Sequence, residues 1–455
     1  VDYDALIHHI AFTSVHAWLV TDYHAGGSYQ GELAESWQSS PDFKEWKFVL
    51  RPGMTFENGD PITTDNVIDS WIRVVRILNA KGSPPSVFVN LVGYADFPGK
   101  TQTISGMTHD DRSITLRYSK PMPKLLDDLA FGLYAVVHPS CFDRKTGQWL
   151  DKRKTIASGA YRVQEWDDQH LLLALRKDYP ASLRHPRPLS RVEIRWDAQR
   201  PGSPDLVIAH SRSDLAAQGY SFYGGAESHI GYLRVQSWTD PASPLANRDF
   251  RRSLRDAFYE ELEKQSVHPV RSFFPLAIKG VHEMPATADP TQASLPSAAK
   301  QARIRFCPFS ASMPLAAEGS EAMKNAANRF GMRFEIADTK LKDLIAEWGP
   351  GAHRFKEEIS GFGTSIDLDD PDGDIRFMIR SKEGVCLPDP TGKAVAATAQ
   401  SPIDAQKVNE ILWADAIIWP VVHYSQGLWT KPNLDTSLMN RQVNSIPLQL
   451  LGWKN

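Results

Sequence analysis

The stretch that decides the fold runs Gly31-Glu32-Leu33-Ala34-Glu35-Ser36-Trp37, then Trp46-Lys47-Phe48-Val49-Leu50-Arg51-Pro52-Gly53-Met54-Thr55-Phe56, then Asn58-Gly59-Asp60-Pro61-Ile62-Thr63-Thr64-Asp65-Asn66-Val67 into Ser70-Trp71. Trp46, Phe48 and Leu50 alternate with Lys47, Val49 and Arg51, the period of a strand with one buried face. Pro52-Gly53 punctuates that strand, and Asn58-Gly59 is the strongest short-range turn signal in the chain. Thr64 is the expected N-cap of a helix, with Asp65 in its first turn and Val67, Ile68, Trp71, Ile72 and Val75 at helical spacing. Nothing here is a nucleophile, a general base or a metal ligand, so the stretch is architectural.

Outward from it, 455 residues are too many for one compact core, and two or three domains are expected. The 51 basic and 54 acidic residues nearly balance, at a formal net charge of −3, which leaves no basic face for nucleic acid and no basic run for an anionic membrane. No apolar run reaches the roughly eighteen residues that a membrane-spanning helix needs. Val1 stands without an initiator methionine or leader, and the chain is read as processed or trimmed. The three cysteines, Cys141, Cys307 and Cys386, allow either buried thiols or one Cys307–Cys386 disulfide, and the absence of Cys-x-x-Cys disfavours thiolate metal binding.

Residues 3–21 predict an opening helix with Leu6, Ile10, Val15, Trp18 and Leu19 along one stripe. His9 and His16 share a face of it, as a polar face or as a metal pair with no carboxylate or cysteine partner. Ser113–Tyr118 alternates as a strand, and Lys124–Leu129 is a short amphipathic helix. Leu206-Val207-Ile208-Ala209 reads as a buried strand. The helix over Asn247–Phe258 places Phe250, Leu254, Ala257, Phe258 and Leu262 inward and its arginines on a solvated face. Strand Ile304–Phe306, a helix to Phe330, strand Phe334–Ile336 and a helix carrying Leu341, Leu344, Ile345 and Trp348 imply a βαβ unit with a parallel sheet. Ligands of such sheets sit beyond the carboxyl ends of the strands. That rule directs attention to Gly361-Phe362-Gly363-Thr364-Ser365-Ile366-Asp367-Leu368-Asp369-Asp370-Pro371-Asp372.

No Gly-x-Ser-x-Gly elbow, P-loop, Gly-x-Gly-x-x-Gly or His-Glu-x-x-His occurs. Ser297-Ala298-Ala299-Lys300 and Lys145-Thr146-Gly147 echo penicillin-recognising serine enzymes, but in reversed order. The chain is expected not to be an enzyme and to carry no cofactor and no resident metal.

Leu33-Ala34-Glu35-Ser36-Trp37, the strand and turn over Phe48–Phe56, and Gly59-x-Pro61-x-Thr63 opening a helix together resemble the family 5 extracellular solute-binding proteins, the receptors of peptide, nickel and related ABC importers. Ala157-Ser158-Gly159-Ala160-Tyr161-Arg162-Val163-Gln164-Glu165-Trp166 is similar to that family's Gly-Thr-Gly-Pro-Tyr strand entry, with Ala157 and Ala160 in place of its first glycine and its proline. Asn247–Phe258 resembles its Arg-x-Ala-Leu helix, and Ala416–Tyr424 its returning strand.

The resemblance implies an α/β, two-lobed periplasmic-binding-protein fold (type II, cluster C) with an extra inserted α+β domain. Residues 1–38, 156–235 and 419–455 would form lobe I, 39–155 the insertion and 236–418 lobe II. It also implies a monomer outside the cytoplasmic membrane, periplasmic or extracellular, with a lipid anchor as its only membrane attachment. Closure of the two lobes about a two-strand hinge would capture a short peptide or amine-bearing molecule for delivery to ABC permease subunits.

Anchored on Asp370-Pro371-Asp372, the family's site loop places Asp367 at the aspartate that meets a peptide's α-ammonium group, with Phe362 and Gly363 beside it. Thr364 stands where the family has tryptophan. A solvated or helix-capping acidic loop, or a calcium loop, are the other readings of the same aspartates. Ser158 and Trp429 are further ligand candidates, each with a structural alternative in a turn or in the core. A metal chelate, an oligosaccharide, or a sensory role without transport are the functional alternatives.

Overall fold

The computed structural model describes residues 12–22, 24–80, 84–97, 103–130, 132–151, 153–167, 170–195, 204–211, 213–285, 302–308, 314–337, 358–366, 368, 371–379, 387–399, 402–440 and 446–454. They divide into two compact units, Val1–Leu206 with Thr430–Asn455, and Val207–Trp429.

In the first unit, β1 (Ala34–Ser39) and β2 (Glu45–Leu50), then β3 (Met107–His109) and β4 (Ser113–Arg117), form an antiparallel sheet in the order β1-β2-β4-β3. Trp46, Phe48 and Leu50 are buried along β2 as the alternation predicts. Each such burial contributes about 1.5–3 kcal/mol. Gly59 takes the left-handed φ of 89° that the Asn58-Gly59 turn requires.

Helix α1 (Thr64–Ala80) buries Val67, Trp71, Val74, Val75 and Ile77. Its cap is Thr63, not Thr64: Asn66 Oδ1 accepts from Thr63 N at 2.8 Å while Thr63 Oγ1 accepts from Asn66 N at 3.4 Å, a reciprocal box. The Thr64 hydroxyl is buried and donates instead to Asp110 O at 2.7 Å. A second sheet joins β5 (Tyr161–Trp166), β6 (His170–Leu175) and β7 (Arg191–Arg195) in that order. The opening helix covers only residues 12–15 among those described, and the chain is already extended at Val20–Thr21.

The second unit begins with β8 (Leu206–His210) and β9 (Ser221–Tyr223), and continues with β10 (His229–Val235) and α2 (Arg248–Lys264). The βαβ unit follows as β11 (Arg303–Cys307), α3 (Ala316–Arg329) and β12 (Arg333–Ile336), with the parallel pairing expected. Then come β13 (Ile359–Ser365), α4 (Pro371–Met378), α5 (Ala405–Asp415), β14 (Ile418–Tyr424) and β15 (Gln426–Thr430). The predicted helix over Leu341–Trp348 lies outside the described residues.

The main sheet has the order β12-β11-β13-β10-β14, and a smaller one the order β8-β15-β9. One core, with Leu233, Ile304, Phe306 and Trp419, packs against α2 and α3; another, with Tyr232, Phe273, Phe362 and Leu412, fills the opposite face. The chain returns to the first unit with β16 (Leu434–Asp435) paired to β17 (Gly452–Trp453).

Two expectations change here. The units divide at 206/207 and 429/430 rather than at 235/236 and 418/419, because β10 and β14 are hydrogen-bonded strands of the second unit's own sheet. Leu206–Ala209 is only half-buried apart from Val207.

The arginines of α2 are also not a solvated face. Arg251 and Arg255 are buried, at 5% and 2% exposure. Arg251 Nη2 donates to Asp415 O at 2.8 Å, Arg252 Nε to Ala414 O at 3.0 Å and Arg255 Nη1 to Trp413 O at 2.8 Å. These are the carbonyls that the carboxyl end of α5 leaves without intrahelical donors. Arg255 also lies 3.7 Å over the Trp413 ring and pairs with Asp256 at 3.0 Å. Burial lowers the Arg251 guanidinium to about 10, which leaves it charged at neutral pH.

Replacing Arg255 by Met takes its donor from the Asp256 carboxylate and leaves Trp413 O with only the Ala416 N–H at 3.3 Å. Urea unfolding of R255M should show a loss of about 2–4 kcal/mol, with Lys restoring only part of it. A loss below about 0.5 kcal/mol would mean that the arginine cap does not hold α2 to α5.

Candidate functional site

The order of the main sheet sets up one edge. β13 and β14 both run antiparallel to β10 and hence parallel to each other, and β11 is parallel to β12 and β13. Four strands therefore end at the same edge, where β10 begins. The rule for open α/β sheets places ligands there.

His229 opens β10 and faces Ser365 of β13 on one side and Tyr424 of β14 on the other. The ladder continues one residue further, with Ile366 N donating to Ser228 O at 3.0 Å. The His229 and Tyr424 rings lie 5.4 Å apart, and His210 at the end of β8 meets Tyr424 edge-on at 6.2 Å. Burial lowers the His229 imidazole to about 4 and raises the Tyr424 phenol to about 12. Both are neutral at physiological pH, polar without net charge. Gly363 and Ser365 are exposed beside them, so β13 presents backbone unobstructed by large side chains. Ser425, just past Tyr424, joins its carbonyl to Ser211 N at 2.8 Å and donates from Oγ to Gly225 O at 2.8 Å.

The sequence-derived candidates divide sharply. Asp367 lies outside the described residues, next in the chain after Ile366. Phe362 is 4% exposed, stacks on Tyr232 at 5.9 Å and belongs to the core rather than to a ligand surface, because β13 alternates and turns it to the buried face. Gly363 is exposed on the other face. Thr364, at the family's tryptophan position, donates to Met378 Sδ of α4 at 3.8 Å.

Ser158 is fully buried in the first unit: its hydroxyl donates to Val136 O at 2.6 Å and accepts from Ala17 N at 2.9 Å. Its small neighbour Gly159 is required by the backbone of residues 14–16, where a Cβ would meet Ser14 O at 2.8 Å, and not by a ligand. Trp429 is buried against Phe222 and donates from Nε1 to His210 O at 3.1 Å. Of the His9–His16 pair, His9 lies outside the described residues, and the buried His16 meets no carboxylate among the described ones. Among the described residues no cluster of three or more His, Cys, Asp or Glu side chains could hold a metal ion. Cys386, and with it the proposed disulfide, lies outside them. His229, Tyr424 and Ser365 were not singled out in the sequence. Their only signal is position, at the ends of strands that the apolar runs predict.

The fold recurs in known proteins. Residues 28–201 match the family model described as bacterial extracellular solute-binding proteins, family 5 Middle. The periplasmic oligopeptide-binding protein OppA of Haemophilus influenzae is 25% identical over 143 residues, 30% of this chain and 26% of that protein. The probable D,D-dipeptide-binding periplasmic protein DdpA of Escherichia coli is 26% identical over 157 residues, 34% and 28% of the two chains. The matched segment thus spans about a quarter of these relatives' length.

Among solved structures, Haemophilus influenzae OppA in complex with RPPGFSPFR superposes with a TM-score of 0.70 at 17% identity, covering 98% of this chain and 94% of that one. NikA from Brucella suis in complex with Fe(III)-EDTA gives 0.71 at 15% identity, covering 100% and 96%. The fold is therefore the two-lobed periplasmic-binding-protein fold. Residues 28–201 are similar to the family 5 bacterial extracellular solute-binding proteins, and the likeness in fold extends along nearly the whole chain.

The depressed His229 has a consequence for stability. Its folded value of about 4 lies below the ordinary 6.5, so the unfolded chain takes up the proton first as pH falls. Its stabilising term is complete above about pH 6.5, declines between about 6.5 and 4, and is absent below. Urea midpoints measured across this range should fall less steeply for His229→Gln than for the parent protein. Parallel profiles would show that His229 is not buried as described.

Proposed function

We propose that this chain is the solute-binding receptor of an ABC importer. It works in the periplasm or outside the cell as a monomer, captures a short peptide or amine-bearing small molecule by hinge closure, and presents it to membrane permease subunits without catalysing a reaction. The observation that carries the reading is the fold, alike along nearly the whole chain to an oligopeptide-binding protein solved with a peptide. Two relatives named as peptide-binding periplasmic proteins support it, and no described helix is long and apolar enough to cross a membrane.

In this reading the exposed backbone at Gly363 and Ser365 pairs with the peptide main chain, and Asp367 meets its α-ammonium group. The flanking His229 and Tyr424 are neutral, so the site's affinity for a cation rests on the aspartate. A carboxylate–ammonium pair left half-made in a water-poor site costs about 3–5 kcal/mol.

A metal chelate is the second reading, favoured by the likeness to NikA with Fe(III)-EDTA and by two imidazoles and a phenol beside the same edge.

Calorimetric titration with tripeptides, their N-acetylated forms and Fe(III)-EDTA separates the two. Free tripeptides should bind at least roughly tenfold more tightly than acetylated ones, and Asp367→Asn should remove that preference. Binding of Fe(III)-EDTA with no heat from any peptide would replace the first reading by the second. Equal affinity for free and acetylated peptides would remove Asp367 from the site.

A further inference from the structure

The first unit holds a buried cation that no described carboxylate pairs with; the only favourable charge beside it is the Cys141 thiol group. Arg73 lies on the inner face of α1 at 3% exposure. Its guanidinium is 4.5 Å from the Trp149 ring and 5.7 Å from the Phe142 ring. Its Nε and Nη2 are buried and meet no hydrogen-bond acceptor. Burial lowers it only to about 10, so it stays charged at neutral pH.

The nearby carboxylates are committed elsewhere. Asp69, one turn earlier on α1, pairs with Arg144 at 2.7 Å. The Asp143 carboxylate accepts from Lys145 N, Thr146 N and the Thr146 hydroxyl, at 2.9, 2.7 and 3.0 Å. Aromatic faces offset part of the desolvation of a guanidinium, but they accept none of its N–H groups.

His16 completes the enclosure. It is 2% exposed, with its ring 5.9 Å from Trp149 and 4.8 Å from Phe12. Burial and the charge of Arg73 lower it to about 3, so it is neutral. The Thr155 hydroxyl lies 3.2 Å from Nε2, whereas Nδ1 is buried and meets no partner. Arg73 Nε–H and Nη2–H therefore lack an acceptor beside Trp149, and His16 Nδ1, near the Val136 carbonyl that favours its protonation, joins them in the tautomer that carries the ring proton there. The loop is shaped to close here: a Cβ at Gly147, φ 79°, would stand 2.6 Å from Arg73 O.

We propose that Arg73 and His16 bind a small monovalent anion, with halide the simplest fit, through Arg73 Nε–H, Arg73 Nη2–H and His16 Nδ1–H in the box closed by Trp149, Phe142 and Phe12. The anion supplies the missing charge and the missing acceptor together. It also fastens α1, the loop that carries Phe142 and Trp149, and the segment that carries Phe12 and His16, so the stability of this region depends on anion concentration.

The test is thermal unfolding of the full chain in sodium chloride and in sodium gluconate at equal ionic strength, gluconate being too bulky for an enclosed site. Chloride should raise the midpoint by about 1–3 °C and saturate. Arg73→Met should abolish the difference between the two salts. A second measurement needs no variant: bromide-soaked crystals should show anomalous density between Arg73, His16 and Trp149. Identical midpoints in the two salts, a chloride effect undiminished in R73M, or no bromide at that position would each overturn the proposal.

Discussion

The pairing of β10 between β13 and β14 is the constraint on which the second unit depends. It is the only strand of the main sheet's described pairings that runs against its neighbours. By lying between two parallel strands it brings Ser365, His229 and Tyr424 into one row. A slip of one residue would exchange the faces of β10, moving Tyr232 and Leu233 each into the wrong core. The site and the hydrophobic core are thus set by the same register. The outward face of β13 is free to present backbone because its inward face, through Phe362, is committed to packing.

Buried arginines do a large share of the structural work in both units, by different means. On α2 they satisfy the carbonyls at the end of α5, and the peptide dipoles there favour positive charge. Arg176 does the same for loops of the first unit, donating from Nη1 to Ala157 O and Gly159 O at 3.2 and 3.1 Å and from Nη2 to Thr55 O at 2.8 Å. In each case the planar, multiply donating guanidinium reaches several carbonyls at once, which a lysine ammonium cannot match. Arg73 departs from this pattern. It is set among aromatic rings with donors to spare.

Much of the fold is legible in the sequence because it rests on local periodicity. The alternation in β2, the Asn58-Gly59 turn and the parallel β11-α3-β12 unit all follow from residue patterns over short windows. What escapes such windows is long-range pairing. Nothing within Arg248–Lys264 tells that its arginines will meet carbonyls more than 150 residues later. Nor does a window around His229 reveal Tyr424 as its neighbour. The division between the units was displaced for the same reason, since β10 and β14 declare their sheet only through β13. The candidate site was legible by a rule rather than by a motif: carboxyl ends of parallel strands pointed to Gly361–Asp372. Of the residues singled out there, Phe362 lies in the core, because the face of a strand turns on a single residue of register.

The central claim is that ligand is held at the shared edge of β13, β10 and β14. Hydrogen exchange of ligand-stripped protein, with and without a saturating pool of random tripeptides, tests it most directly. The account predicts slowed exchange in peptides covering Gly363–Leu368 and Tyr424–Gln426, with little change in the β5-β6-β7 sheet. Peptide binding that leaves exchange at this edge unaltered, or that protects only other parts of the chain, would contradict it.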